Sequence, residues 1–179
     1  MHCKTSKAIF LSQHIEISGL RTETFEDCMR KLTYVREKFG QQVAGVPMAN
    51  LIVREGSNGS CFSATNHIFS RRSDVPTEQD NEFQDGVDSI GRLAKLKGTE
   101  LIHAPENIVK YYRVSKDNRR EHYAKEIPGA FKAGDIVEAQ VAFVAIMSHG
   151  IMKVTNRLQA LTLVDDCYSK ASGTDRAET

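Results

Sequence analysis

In residues 57–67, "SNGSCFSATNH", a cysteine follows a small-residue turn and a histidine stands six positions later. These two types can make a thiolate nucleophile and its base, provided that something lowers the thiol pKa: a helix N-terminus, an imidazolium or a cationic side chain. The residues after Cys61 read as a strand, so no helix dipole is on offer. Six positions along a strand is about 20 Å at ~3.3 Å per residue. Cys61 and His67 would then face one side without touching. A hairpin cysteine is the expectation, and a cysteine-dependent enzyme using Cys61 stands only as an alternative.

Metal chemistry has less to build on. His14, His67, His103, His122 and His149 are isolated from one another, and Cys3, Cys28, Cys61 and Cys167 form no C-x-x-C pair. Zinc sites use closely spaced ligand pairs, so no metal is expected. Asp165 and Asp166 read as the solvated end of a strand. "GSNGS" lacks the Lys-Ser/Thr ending and the helix of a phosphate loop. No catalytic residue and no cofactor is assigned.

The richest segment is Lys110 to Lys132. It carries seven cations (Lys110, Arg113, Lys116, Arg119, Arg120, Lys125, Lys132) against Asp117, Glu121 and Glu126, a local balance of +4. Tyr111, Tyr112 and Tyr123 are interleaved with them. Aromatic rings stack unpaired bases while cations track phosphates, each stacked base being worth roughly 1–3 kcal/mol. Lys110, Tyr111, Tyr112, Arg113, Arg119, Arg120 and Tyr123 are therefore the candidate nucleic-acid-binding residues, which Arg71 and Arg72 could extend. Residues 74–88, "DVPTEQDNEFQDGVD", hold six acids and no Lys or Arg. Such a loop could dock on the basic segment by charge and weaken its hold on polyanions.

These residues need elements to position them. "NIVKYYRV" and "RREHYAKEI" flank "SKDN" and predict a hairpin. "MANLIVRE", "GSNG" and "SCFSATNHIFS" predict a second one. "IVEAQVAFVAIM" begins in alternation, with Val137, Ala139, Val141 and Phe143 opposite Glu138 and Gln140, and then turns apolar on both faces, as a strand entering the core does. "SHG" turns the chain, and "MKVTNRLQALTLVDD" returns as its partner. "KAIFLSQHIEIS" predicts a strand ending in alternation at Ile15 and Ile17. The clearest helix is "TFEDCMRKLTYVREKFG", with Thr24 as N-cap, a buried stripe of Phe25, Cys28, Met29, Leu32, Val35 and Phe39, and Gly40 at its end. "SIGRLAKLKG" predicts a short helix using Ile90, Leu93 and Ala94.

At 179 residues, 40% hydrophobic and 26% charged, the chain suits one globular domain over 1–172 with a disordered tail at 173–179. A net charge of +1 excludes a strong global field, so any polyanion affinity must be local. No apolar stretch approaches the ~20 residues that span a bilayer, and no secretion signal is visible. Free thiols and an intracellular location, nuclear or cytoplasmic, are expected.

"FKAGDIVEAQVAFVAI" followed by "LQALTLVDD" resembles the C-terminal signature of a family of uncharacterised proteins from mushroom-forming fungi, and "LIVREGSNGSCFSATNHIFS" looks like the same group, a likeness covering about residues 45–172. That resemblance implies no activity. Phe131 to Val137 is also similar to the approach to the first barrel strand of oligonucleotide-binding (OB) folds. The expected fold is mostly β (α+β): an OB-like barrel or β-sandwich with one main N-terminal helix packed on it. The expected function is a non-catalytic binding module for single-stranded DNA or RNA. The alternative is a protein-interaction or self-assembly module, in which an edge strand such as Asn107 to Val114 pairs with a partner protein or a second copy.

Overall fold

The structure, a computed structural model, describes residues 5–42, 47, 54–56, 59–117 and 120–174. Strand accounts for 41% of it and helix for about 26%, so the protein is mostly β with one main helix. The chain divides into two compact units: residues 1–13, 66–140 and 158–179 form one, and 14–65 with 141–157 the other. Both are discontinuous in sequence. Parallel and antiparallel strand pairs occur together, and among the described residues neither unit closes a barrel. No described helix is long and apolar enough to cross a membrane.

In the first unit a short helix α1 (Thr5–Ala8) leads into the chain. Strand β1 (Ser12–Ser18), helix α2 (Glu23–Gln42), β2 (Arg54–Gly56) and β3 (Gly59–His67) follow, largely in the second unit. The first unit resumes with β4 (Ser70–Arg71), α3 (Arg92–Lys97) and β5 (Leu101–Ile102), the last pairing antiparallel with β4. Next come β6 (Lys110–Asp117) and β7 (Arg120–Lys125). β8 (Ile136–Ser148) and β9 (Ile151–Asp165) run through both units, and α4 (Cys167–Thr174) closes the described chain.

The first unit's interior gathers Ala8, Phe69 and Leu101, with Ile9, Ile68, Phe83 and Leu93 against them. Leu158, Leu161 and Leu163 from the second half of β9 are buried as well. Two buried asparagines stitch loops to this core: Asn66 Nδ2 donates to the carbonyls of Glu106 and Leu158, and Asn107 Oδ1 accepts from the Ala104 amide. Buried amides satisfied in this way fix backbone that no strand ladder holds. β6 lies parallel to β9 (Tyr111↔Leu161, Arg113↔Leu163) on one side and antiparallel to β7 on the other. Asn107 to Val114 is therefore no edge, as the protein-interaction alternative required. The described strands paired on one side only include β7 and β8.

The second unit contains the expected hairpin, with Arg54↔Cys61 and Gly56↔Gly59 in register. Of "MANLIVRE", residues 48–53 lie outside the described residues, as do Ser57 and Asn58 of the turn. β3 meets β9 in parallel at Thr65↔Arg157, and β1 is its other neighbour. α2 begins at Glu23 rather than after Thr24 and passes Gly40 to end at Gln42. Of its expected stripe, Met29 is buried and Phe25, Leu32, Val35 and Phe39 are half-buried, while Cys28 is exposed and Arg36 is buried instead. Arg36, a charged residue in a core position, is 8% exposed. Gly19 is required where the chain enters α2, since a Cβ there would stand 1.9 Å from Phe25 Cγ.

Two further expectations are corrected. β8 does not enter the core at its end: Ile146 and Met147 are 47% and 56% exposed, next to a turn in which His149 (φ 51°) and Gly150 (φ 76°) are both left-handed, the geometry of a tight hairpin. Ile90 lies outside α3 and is exposed, and Leu93 alone carries that helix into the core. α4 ends at Thr174, and residues 175–179 of the expected tail lie outside the described set.

Candidate nucleic-acid interface

The β6–β7 register decides which side chains share a face. Tyr112 opposes Lys125 and Val114 opposes Tyr123, so alternation puts Lys110, Tyr112, Tyr123 and Lys125 on one side. Tyr111 and Arg113 project to the other, as does Arg120, which opposes Asp117. The seven candidate residues are thus divided. Arg119 lies outside the described residues.

Tyr111 does not belong to an open surface. Its ring is 8% exposed and lies 5.6 Å from the Phe131 ring, centroid to centroid. Burial pushes its phenol up to about 12, because the ionised form would lose its water. Arg113 is committed elsewhere. Its Nε donates to Glu126 Oε2 at 2.8 Å and its Nη1 to Asp166 Oδ2 at 2.9 Å. Lys170 holds the other Asp166 oxygen at 2.9 Å. Arg113 holds the Glu126 carboxyl below its ordinary range, and Lys170, then Arg113, do the same for Asp166. This guanidinium ties β6 to the start of α4; it does not face a phosphate.

What remains is a groove of about 560 Å³, lined by Lys110, Tyr111, Tyr112, Lys125, Glu126 and Ile127 from the hairpin and the residues after it, and by Phe83, Gln84 and Asp85 from the acidic loop. Lys110 and Lys125 are exposed and Tyr112 is half-buried. Tyr123 extends the same strand face, 55% exposed, its hydroxyl donating to Glu121 at 3.2 Å.

The second wall is the acidic loop, and it is fixed by specific bonds. Asn81 donates to the His103 carbonyl from its backbone (2.9 Å) and its side chain (3.0 Å). Asp80 accepts the His103 amide at 3.0 Å and pairs with Lys97 at 2.6 Å. Burial pushes the Asp80 carboxyl up, but Lys97 and the His103 amide outweigh it and hold it below the usual range. The Phe83 ring lies 4.7 Å from that of His103 and 6.0 Å from that of Phe69. Gly86 sits at φ +79°, with Ile127 Cβ only 3.1 Å from where its own Cβ would be. Only glycine accepts both constraints. Arg72 serves this loop too, donating to the Glu78 carbonyl at 2.9 Å, so it does not extend the hairpin's charge.

Cys61 lies on β3, half-buried, its Sγ 3.7 Å from the Gly59 carbonyl. His67 ends the same strand, so the extended spacing expected between them is what forms. Among the described residues one trio, Asp165, Asp166 and Cys167, brings potential metal donors within 4.8 Å. Asp166 is neutralised by Arg113 and Lys170, while Asp165 accepts the Cys167 amide at 2.8 Å and pushes that thiol up. These bonds begin α4.

Sequence reasoning missed Phe83, Asp85 and Lys125. A lone aromatic within an otherwise acidic loop was the available sign for Phe83, because a phenylalanine there is explained only by something it covers. Lys125 becomes visible once the register sets it across from Tyr112. No protein family, no curated protein and no solved structure matches this chain.

Proposed function

We propose that the protein is a non-catalytic module that binds single-stranded nucleic acid along the β6–β7 face, with Lys110 and Lys125 against phosphates and Tyr112 and Tyr123 against bases. One observation supports this most: two cations and two aromatic rings share one strand face, with the cations flanking Tyr112 beside a groove. Spacing agrees with it, since Lys110 and Tyr112 are two residues apart on one face, about 7 Å, the scale of one nucleotide. The site is smaller than the sequence implied. Arg113 and Arg120 leave it, Tyr111 lines the groove only as a buried side chain, and Lys125 joins it. The OB-like comparison adds nothing, because Phe131 to Val137 lead into β8 and not into the groove. The resemblance to the family from mushroom-forming fungi and an intracellular location, nuclear or cytoplasmic, belong to the same proposal.

The test is fluorescence anisotropy with labelled single-stranded oligouridine and oligothymidine at low salt. Binding is expected, and Tyr112→Ala should weaken it about 5- to 150-fold, the range of one lost stack, while Tyr112→Phe changes little. No binding at low salt removes the proposal. A second reading, a protein-interaction or self-assembly module, is favoured by β8, whose described pairing is to β9 alone and whose Ile146 and Met147 are exposed. Light scattering over a dilution series separates the two: a stable oligomer without oligonucleotide affinity supports the second.

A further inference from the structure

The groove carries charge of both signs, and the negative one is not spent. Of its two carboxylates, Glu126 is used at both oxygens, Oε2 by Arg113 Nε at 2.8 Å and Oε1 by the Ile127 amide at 3.0 Å. Asp85, on the facing wall, is exposed and has no hydrogen-bond or ion-pair partner among the described residues. A lone carboxylate across from two lysines is a poor neighbour for a second phosphate. It is a good acceptor for a ligand that brings phosphate at one end and paired N–H donors at the other.

Among the common bases, guanine alone offers two adjacent donors on its Watson–Crick edge, N1–H and the N2 amino group. They match the two oxygens of a carboxylate in the parallel, two-bond manner that makes arginine–carboxylate pairs strong. Adenine and cytosine offer one amino group beside an acceptor, and uracil one imide N–H between two carbonyls. In single strands this edge is free to be read. Resting on the proposed nucleic-acid function, we infer that the groove selects guanine: Asp85 accepts N1–H and N2–H, the ring lies against Tyr112, and Lys110 and Lys125 hold the flanking phosphates. Asp85 is a specificity residue here, and the acidic loop supplies it.

The test uses the full chain and equal-length oligouridines with one central guanine, inosine, adenine or cytosine; a single guanine avoids four-stranded assembly. The guanine oligomer should bind about tenfold tighter than the adenine one, at the low end of a two-bond base contact, with inosine, which lacks the N2 amino group, between them. Asp85→Asn should bring guanine down to the adenine level, the ratio of the two affinities being the readout. Equal affinities for all four in the unsubstituted protein, or an undiminished guanine preference in Asp85→Asn, overturns the inference while the nucleic-acid proposal stands. Absence of all binding overturns both.

Discussion

Salt dependence is the most direct measure of how many cations the interface uses. Seven cations lie between Lys110 and Lys132, and if all met phosphates the slope of log K against log salt would be about −5, at ~0.7 per phosphate on a single strand. Of the cations on the face of Tyr112 and Tyr123, Lys116 stands opposite Glu121, and the two that line the groove are Lys110 and Lys125. The expected slope is therefore about −1.4, so that a tenfold rise in salt weakens binding about 25-fold. Lys110→Ala with Lys125→Ala should flatten the line to near zero. Arg113→Ala should leave the slope unaltered, because that guanidinium is neutralised by Glu126 and Asp166. It should instead lower the melting temperature by a few degrees, as β6 loses its tie to α4. Arg120→Ala should also leave the slope alone, since it projects from the opposite face. Anisotropy of labelled oligouridine over a salt series reads all of these. A slope near −5, or one that falls by about 0.7 on removing Arg113, refutes the assignment of faces.

Three further outcomes are expected. Tyr111 ionises at about 12 when folded against about 10 unfolded; its contribution is complete below about 10 and is lost as pH rises to about 12, roughly 2–3 kcal/mol in all. Alkaline unfolding of Tyr111→Phe should lack that loss, and an identical alkaline limb in both proteins refutes the burial argument. Asp80→Asn should loosen the loop and speed proteolysis within residues 74–88. Because the folded carboxyl is held below its ordinary range, the same anchor should persist at neutral pH and fail as pH falls through that lowered value; equal cleavage rates for both forms would show that the anchor holds nothing. Finally, Cys28, exposed on α2, should be alkylated ahead of half-buried Cys61 at neutral pH. Faster labelling of Cys61 would restore the thiol-enzyme alternative.

Local pattern made much of the fold legible. Alternation in "IVEAQVAF" marks β8, and the "GSNG" and "SHG" turns mark two hairpins, because each signal lies within a few residues of what it determines. Helix α2 was visible, and so was its stripe at Phe25, Met29, Leu32, Val35 and Phe39, but not the exposure of Cys28 or the burial of Arg36. What selects Arg36 over Cys28 is the surface beneath the helix, which period alone does not encode. The parallel pairing of β6 with β9 was out of reach for a similar reason. Lys110 meets Ala160 across fifty residues with no turn between them to announce it. That one pairing makes β6 an interior strand, whereas alternation along β6 and its register with β7 divide the tyrosines between two faces. It also brings Asp166 within reach of Arg113.

The acidic loop shows which kind of force places a segment. Net charge suggested that residues 74–88 would lie on the basic hairpin and cancel it. The loop does come to the hairpin, but two of its six acids are used elsewhere: Asp80 on Lys97 and the His103 amide, Asp88 on the amides of Leu93 and Ala94. Its position comes from the Phe83 ring against His103 and Phe69, and from two bonds of Asn81 to one carbonyl. Exposed charges separated by more than about 10 Å are largely screened in physiological salt, whereas ring burial and directed hydrogen bonds are not. Lys110 and Lys125 consequently keep their charge beside the loop, with no ion-pair partner among the described residues. The loop builds one side of a groove where a charge-driven dock would have closed it, and a groove with two unspent lysines is what gives the proposed ligand somewhere to bind.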